Sequence, residues 1–260
     1  MTQFSAIIIT KNAAAHIEDC LASVAWCDEI VVVDCGSADE TVAGCRSFTD
    51  NIVVTDDWPG FGPQKNRALA MATGEWVLSI DADERVTPAL EQEIKAAISQ
   101  NRLSAFRIPR RSRYCGRWIK HSGWSPDYVI RLFRRGSARF SDDLVHEQVQ
   151  VLSGNVGTLK SPLLHYSFNS IEEVLEKINH YSTANAQLAY AKGKKASLKK
   201  AIFHGLWAFL RTYLFRGGFL DGREGFMLAI SNAEGTYYRY LKLMYLSGAL
   251  NGSDSNPSNR

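Results

Sequence analysis

The chain has 260 residues, of which 45% are hydrophobic, and its formal net charge is +3 at pH 7. We therefore expect a globular protein with one large domain, or one domain with an appendage. The five cysteines form no Cys-x-x-Cys pair, which argues against a disulfide framework and against a zinc site. The sequence also lacks a signal-peptide pattern and the run of about 18 apolar residues that spans a membrane, so we expect a cytoplasmic protein.

Strand and helix patterns alternate over the first hundred residues. The second strand, Ile30-Val31-Val32-Val33, is apolar throughout, as expected when both faces of a sheet are covered. Repeated strand–helix–strand units predict an α/β fold with a mostly parallel central sheet and helices on both faces. The predicted strands are 6–10, 29–34, 52–54 and 76–80, and the predicted helices are 13–26, 38–47 and 64–73.

Polar residues follow each of these four strands. Ligands of such sheets bind beyond the carboxyl ends of the strands, so the four groups are expected to face one crevice. Their agreement favours a nucleotide or sugar-nucleotide site over four unrelated loops. The groups are Thr10-Lys11-Asn12, Asp34-Cys35-Gly36-Ser37, Asp56-Asp57 and Asp81-Ala82-Asp83.

The last group is the most informative one. Asp81 and Asp83 would share one face of an extended strand. Two carboxylates at the mouth of a sheet are hard-oxygen ligands for a divalent cation, which in turn can hold a diphosphate. The alternative is an acidic helix cap, because Thr87-Pro88 opens a helix just downstream.

The stretch 102–139 is strongly basic, with eleven Arg or Lys residues against the single acid Asp127. Its glycines and aromatic residues predict irregular strands and loops rather than a helix. We see neither a recognition helix nor a base-stacking motif, so we expect no nucleic acid partner. An anionic donor or a phosphorylated acceptor fits better, and a solvated basic face is the alternative.

The chain is expected to turn helical after Asn155, with one long helix over 171–192. Residues 192–219 carry seven basic residues and no acid, and Ile202, Leu206, Phe209, Leu210 and Tyr213 form a helical apolar stripe there. A basic, aromatic, amphipathic segment can lie on an anionic membrane surface. An ordinary helix packed on the main domain explains the pattern equally well.

These patterns divide the chain into three segments. We predict a catalytic domain over 1–168, with a donor-binding half (1–100) and an acceptor-side half (101–168). A helical, amphipathic region (169–250) and a disordered polar tail (251–260) follow.

The motifs as a set resemble the family 2 glycosyltransferases with the GT-A fold. In the N-terminal half these motifs are Ile8-Ile9-Thr10-Lys11-Asn12, Val32-Val33-Asp34-Cys35-Gly36-Ser37-Ala38-Asp39-Glu40-Thr41, Gln64-Lys65-Asn66-Arg67-Ala68 and Ile80-Asp81-Ala82-Asp83-Glu84. Later motifs resemble a narrower branch, the β-1,4-glucosyltransferases of the lipopolysaccharide inner core. They are Gly123-Trp124-Ser125-Pro126-Asp127-Tyr128, Arg131-Leu132-Phe133-Arg134-Arg135, Val145-His146-Glu147 and Gly217-Gly218-Phe219-Leu220-Asp221-Gly222.

The resemblance implies an inverting, metal-dependent transfer of glucose from UDP-glucose to a heptose of the lipid-anchored, phosphorylated core, on the inner face of the cytoplasmic membrane. It places Asp34 at the uracil ring and Asp81 and Asp83 at Mg²⁺ or Mn²⁺ against the two phosphates, Asp83 more directly. Thr10 and Asn12 would lie near the nucleotide, and Lys65 and Arg67 would contact the donor. The acceptor side would include Trp124, Asp127 and Arg131.

The general base is harder to place by resemblance. Glu147 is our prediction, with His146 as its neighbour, and Asp142 and Asp143 are rivals. Glu147 could instead be an exposed strand carboxylate. His165 could complete the metal site, although a lone histidine after an apolar run can also be structural.

Two other functions remain open from the sequence. One is a family 2 transferase for another cell-surface glycan, and the other is a noncatalytic sugar-nucleotide or membrane-surface binding protein. Nucleotidyl transfer is disfavoured because the Gly-rich, Lys-containing phosphate loop is missing near the N-terminus.

Overall fold

The computed structural model of the protein describes residues 4–100, 103–141 and 147–248. Two compact units are distinguished within them. Unit 1 consists of the residues up to Arg111 together with Asp127–Tyr166, and unit 2 consists of Ser112–Pro126 together with the residues from Ser167 onward. Ser112–Pro126 groups with the C-terminal helices because the side chains of Tyr114 and Ile119 pack in one apolar cluster with those of Val174 and Leu228. The predicted tail lies outside the described residues, and the predicted domain at 1–168 stays a prediction.

Strands and helices alternate over residues 4–79, and a fifth strand then follows the fourth directly before the fourth helix. The elements are β1 (Phe4–Thr10), α1 (Ile17–Ser23), β2 (Glu29–Asp34), α2 (Thr41–Arg46), β3 (Ile52–Val54), α3 (Phe61–Met71), β4 (Trp76–Ser79), β5 (Glu84–Val86) and α4 (Pro88–Ser99).

Strands dominate the next stretch, and helices follow it. The strands are β6 (Ala105–Tyr114), β7 (Arg117–Trp118), β8 (Asp127–Arg134), β9 (Ala138–Phe140), β10 (Val149–Val151), β11 (Val156–Thr158) and β12 (Leu163–Phe168). The helices are α5 (Ile171–Ala191), α6 (Leu198–Leu210) and α7 (Gly222–Leu246), with a π-helical turn (Arg211–Phe215) and a 3-10 turn (Gly218–Asp221) between the last two.

The central sheet has the strand order β3-β2-β1-β4-β8-β6-β12-β5. The first four strands in this order are parallel, and β8 joins β4 antiparallel, so the sheet is mixed rather than parallel throughout. Thr10 lies opposite Asp34, and the amide of Ile80 donates to the carbonyl of Ile7 at 3.1 Å. The polar groups after β1, β2 and β4 therefore lie at one edge of the sheet, as the sequence predicts.

Both faces of this sheet are covered, and alternate residues of each strand supply the two cores. On one face, Ile8 and Val32 pack with Leu21 of α1 and Leu90 of α4. On the other face, β1 and β2 contribute their remaining apolar side chains, which pack with Ala68 of α3. The continuous apolar runs of β1 and β2 therefore reflect burial on two sides, and the α/β prediction is confirmed.

Three predictions from the sequence differ from the structure. Helix α1 begins at Ile17 rather than at Ala13, because a turn that returns the amides of His16 and Ile17 to the Ala13 carbonyl precedes it. The basic stretch contains β6, a ten-residue strand that pairs regularly with β8 apart from one bulge, so it is less irregular than expected. The chain also forms β11 and β12 before it turns helical.

Unit 2 is built mainly from α5, α6 and α7. Helix α5 begins as predicted, because the hydroxyl of Ser170 accepts a hydrogen bond from the amide of Glu173 and the carboxylate of Glu173 accepts one from the amide of Asn169. Among the described helices, none combines the length and the hydropathy that crossing a membrane requires.

Candidate active site

The Asp81–Glu84 segment forms a tight turn at the edge of the sheet. The amide of Glu84 donates to the Asp81 carbonyl at 2.9 Å, and the amide of Asp81 donates to the Glu84 carboxylate at 3.0 Å. The downstream helix α4 has its own cap, because the hydroxyl of Thr87 accepts a hydrogen bond from the amide of Leu90. The acidic-cap interpretation of Asp81 and Asp83 is therefore wrong, since Thr87 is the N-cap of α4.

Asp81 lies between two cations. Its carboxylate contacts the Lys65 ammonium at 2.8 Å and the Arg131 guanidinium on the other side. Arg131 also contacts Glu84 at 2.8 Å, and the Glu84 side chain is fully buried. Burial raises the pKa of Asp81, but Arg131 and Lys65 outweigh it and hold that pKa well below its usual range. Asp81 is therefore a fixed anion that anchors two positively charged side chains.

Lys65 connects this anion to the predicted base. Its side chain is buried, and its ammonium lies 2.6 Å from the Glu147 carboxylate as well as 2.8 Å from Asp81. Glu147 lies between β9 and β10, so this contact joins positions 82 residues apart. The exposed-carboxylate interpretation of Glu147 is wrong, since its side chain is only 17% exposed.

Helix α3 lies very close to the backbone of Ser141, the residue after β9. A Cβ atom at Gly62 would lie 1.8 Å from the Ser141 carbonyl oxygen, a distance that no real side chain tolerates. Gly62 thus allows the backbone of Ser141 to lie against the first turn of α3. The sequence argument did not single out Gly62, and a glycine beside the Gln64-Lys65 motif was the only signal for it.

Asp83 and His165 form the other side of the turn. The Nε2 atom of His165 lies 3.3 Å from the Asp83 carboxylate, and the amide of Tyr166 donates to the Asp83 carbonyl at 2.8 Å. β12 is antiparallel to β5 here, with His165 opposite Glu84. The pairing of these two strands therefore brings together two residues that the sequence places 82 positions apart.

These residues fit a divalent cation that the substrate helps to bind. In the part of the chain that the structure describes, no group of three His, Cys, Asp or Glu side chains could hold a metal ion by itself. Asp83 and His165 can supply two ligands, and Mg²⁺ sites commonly use one or two carboxylates together with substrate phosphates. The network around Asp81 also contains four carboxylates (Asp81, Glu84, Asp127 and Glu147) against three cations (Lys65, Arg110 and Arg131). This excess of negative charge favours a cation at the site.

The residues predicted at the nucleotide form a second cluster at the same edge. Asp34 is fully buried, and its two carboxylate oxygens accept hydrogen bonds from the amide and the hydroxyl of Ser37. Asn12 has a positive φ of 50° and accepts a hydrogen bond from the amide of Ala38. The hydroxyl of Thr10 is buried and has no hydrogen-bond partner among the residues that the structure describes. An orphaned hydroxyl beside two ordered loops is a feature that a bound ligand would satisfy.

Arg67 lies on the exposed side of α3. Its guanidinium binds both carboxylate oxygens of Asp57 at 2.6 and 2.7 Å, and it also donates to the Gln64 side chain at 2.9 Å. Asp57 belongs to the third polar group, so Arg67 connects α3 with the loop after β3. Contact of Arg67 with a donor stays a prediction.

The residues predicted on the acceptor side are divided between the units. Asp127 binds Arg110 at 2.8 Å in unit 1, where Arg131 binds Asp81 and Glu84. Trp124 belongs to unit 2 and packs against Tyr114 and Phe168. Asp142, Asp143 and His146 lie outside the described residues.

Sequence reasoning missed Glu84 and Arg110 as members of the network. Glu84 follows the Asp81-Ala82-Asp83 group directly and lies in a short buried strand. A buried carboxylate requires a cation as its partner, and this requirement was the signal for its role. Arg110 contacts both Glu84 and Asp127, but nothing in the basic stretch distinguishes it from its neighbours.

Known proteins resemble this chain in sequence and in fold. The model of "Glycosyl transferase family 2" matches residues 5–155. The lipopolysaccharide core biosynthesis glycosyltransferase LpsC of Rhizobium meliloti is 34% identical over 241 residues, which cover 88% of this chain and 87% of the relative. An uncharacterized glycosyltransferase of Rickettsia typhi is 32% identical over 259 residues, which cover 95% of this chain and 88% of the relative.

Among solved structures, S. aureus TarS 1–349 in complex with UDP-GlcNAc has a TM-score of 0.50 at 16% identity and covers 95% of this chain and 92% of that one. At this identity the likeness concerns the fold, and it supports the α/β architecture expected from the motifs. The family match covers more than half of the chain, and the two curated relatives exceed 30% identity over most of it. The chain belongs to glycosyltransferase family 2.

Proposed function

We propose that the protein is an inverting glycosyltransferase that moves glucose from UDP-glucose to a heptose of the lipopolysaccharide inner core. The observation that carries the chemistry is the Lys65 ammonium, which lies within 2.8 Å of both Asp81 and Glu147. The similarity to LpsC, named as a lipopolysaccharide core enzyme, supports the acceptor class.

In the proposed reaction, Glu147 accepts the proton of the acceptor hydroxyl. The hydroxyl oxygen forms a bond with the anomeric carbon of the donor, the bond between that carbon and the diphosphate oxygen breaks, and its electron pair leaves with UDP. Lys65 holds Glu147 in place and keeps a positive charge near the departing diphosphate. Arg131 and Asp81 fix the position of Lys65 in turn.

Mg²⁺ or Mn²⁺, when bound, would neutralise charge on the diphosphate. Asp83 and His165 would hold the ion, since their side chains already lie 3.3 Å apart. The salt bridges of Asp81 support the assignment of Asp83 as the more direct ligand, because a carboxylate shared by two cations is a poorer metal ligand.

We further propose that unit 2 binds the inner face of the cytoplasmic membrane peripherally. Helix α6 buries its small residues Ala201, Gly205 and Ala208, and it exposes Ile202 and Leu206 of the predicted apolar stripe, so part of that stripe is accessible to an outside surface. The exposed large residues of α6 and the turns after it are called the apolar face. They are Leu198, Ile202, Phe203, Leu206, Trp207, Leu214, Phe215, Phe219 and Leu220. Exposed Lys and Arg side chains accompany them at 194, 195, 199, 200, 211 and 216. Apolar area together with basic charge is the combination that binds anionic lipid surfaces.

The first experiment tests donor, acceptor and metal together. Purified protein is incubated with a panel of UDP-sugars and lipid-linked core acceptor, with and without EDTA. We expect glucose transfer from UDP-glucose that EDTA abolishes and Mn²⁺ restores. Transfer only to another glycan would reject the acceptor, and UDP binding without any transfer would favour the noncatalytic alternative.

Two variants test the assigned roles. Glu147→Gln is expected to bind UDP normally and to lose transfer by about 10³-fold. Asp83→Asn is expected to require much more Mn²⁺ for half-maximal activity, whereas Asp50→Asn, which changes an exposed carboxylate elsewhere, is the matched control. A Glu147→Gln variant with wild-type turnover would show that the base lies elsewhere.

A further inference from the structure

Unit 2 contains a cavity of about 290 Å³ that the proposed reaction does not use. Its lining residues come from unit 2 alone, from the Tyr114–Trp124 region, from Phe168 and from helices α5 and α7. The volume is at the lower end of the about 300–1,000 Å³ of small-ligand pockets, which suits one monosaccharide.

Aromatic rings form one wall of this cavity. Trp124 and Phe168 stack with their ring centroids 6.0 Å apart and their planes at 26°, and Tyr114 meets both rings edge-on. The hydroxyl of Tyr114 is bound to Ser231 at 2.8 Å, which fixes the ring. A rigid aromatic wall of this kind can pack against the apolar face of a sugar ring.

Among the described residues that line the cavity there are two cations and no Asp or Glu. The Lys177 ammonium lies 4.6 Å from the Phe168 ring and donates one hydrogen bond, to the Ser167 carbonyl. Arg239 makes no hydrogen bond or ion pair with any described residue; its guanidinium lies 4.6 Å from the Tyr240 ring. Since ring contacts leave N–H groups unused, both side chains can donate to an anion such as phosphate.

Neutral polar groups complete the lining. Ser182, Asn185, Asn232 and Thr236 lie around the cavity, and such side chains can both donate to and accept from sugar hydroxyls. The combination of an aromatic wall, neutral hydrogen-bonding groups and two cations distinguishes this cavity from an apolar packing defect.

Gly235 keeps the cavity open. A Cβ atom at this helical position would make an ordinary van der Waals contact with Ile178 at 3.9 Å, and a larger side chain would extend into the cavity that Gly235 lines. Glycine in a helix interior is unfavourable by about 1 kcal/mol relative to alanine, and no close packing here requires it.

We propose that this cavity binds a monosaccharide that carries a phosphate group. The identification of that sugar with a residue of the acceptor glycan rests on the proposed function, whereas the chemistry of the ligand follows from the lining residues.

The test measures binding of glucose 6-phosphate, glucose and inorganic phosphate to the whole protein by calorimetry. We expect glucose 6-phosphate to bind more tightly than the other two. Gly235→Leu, which fills the cavity with a good helix former, and Arg239→Gln are each expected to weaken it by about tenfold or more. Arg223→Gln is the matched control, because Arg223 lies on the same helix but binds Glu224.

Kinetics with the lipid-linked acceptor separate the two sources of such a sugar. If the ligand is part of the acceptor, Gly235→Leu raises the acceptor KM and leaves UDP affinity unchanged. If it is a free sugar phosphate, the acceptor KM stays constant while glucose 6-phosphate binding is lost. Wild-type protein that does not bind glucose 6-phosphate, or binding that both variants retain, overturns the proposal. A protein that binds glucose 6-phosphate but transfers no sugar would refute the proposed function alone.

Discussion

The crevice of unit 1 buries charged side chains, whereas the apolar face of unit 2 exposes large hydrophobic ones. In the crevice, charged groups such as Lys65 and Arg131 are buried, and each has carboxylate partners within 2.8 Å. On the apolar face, large side chains such as Phe203 and Leu206 are 65% and 58% exposed, while small residues of the same helix are buried. The crevice thus pairs most of its charges within the protein, whereas the apolar face gains most from a surface outside it.

The largest expected effect comes from removing the charge that connects the two halves of the crevice. Lys65→Met keeps the length of the side chain but leaves Asp81 and Glu147 without their shared ammonium. We expect transfer to fall by about 10²–10³-fold, the range seen when one preorganised charge-stabilising donor is removed. Steady-state kinetics with the purified variant measure it.

The matched control is Lys95→Met, which removes an exposed lysine paired with Glu91 on α4. It is expected to change transfer by less than about twofold. If Lys65→Met also retained transfer within that margin, the crevice would not depend on its central ion pair.

The second prediction concerns stability and pH. Arg131→Met leaves Asp81 and the fully buried Glu84 without their shared cation, and we expect a loss of about 3 kcal/mol in the free energy of unfolding. Arg134→Met, on the same strand but in a partly exposed pair with Glu75, is the control and should cost at most about 1 kcal/mol.

The pH dependence of this loss follows from the lowered pKa of Asp81. A depressed carboxyl pKa adds stability above the unfolded value of about 3.9, and that stability is lost as the pH falls toward the folded pKa. The gap between wild type and Arg131→Met should therefore be constant above about pH 5 and should shrink below about pH 4. Urea unfolding at several pH values measures it, and a gap that widens in acid would contradict the assigned sign.

The smallest expected effect concerns the apolar face. Leu206→Ser should weaken binding to vesicles of anionic phospholipid by about tenfold, because a leucine side chain contributes about 1.5–3 kcal/mol on burial. Its effect on the free energy of unfolding should be small, since the side chain is already exposed. Vesicle sedimentation and thermal unfolding measure the two quantities.

Leu175→Ser is the matched control, because Leu175 on α5 is 52% exposed and lies outside the apolar face. If both variants bound vesicles equally well, the apolar face would contribute no more to lipid binding than the rest of the surface.

Much of the fold follows from local patterns. The apolar runs of β1 and β2, and the caps at Thr87 and Ser170, depend on residues close in sequence, and the structure confirms them. The sequence likewise places Asp81 at the edge of the sheet, because the carboxyl ends of parallel strands meet there. Local patterns did not predict that 105–114 and 163–168 are regular strands, because pairing with distant strands decides the conformation there.

The motifs alone thus identify the family, the sheet edge and the residue types of the site. Which of those residues meet depends on how the distant strands and helices pack. Lys65 reaches Glu147 across 82 positions, Arg131 turns toward Asp81 and Glu84, and His165 meets Asp83 through the pairing of β12 with β5. A buried charge needs a partner of opposite charge, and that partner can come from any part of the packed chain. The spacing of residues in the sequence therefore does not tell which charged side chains lie together.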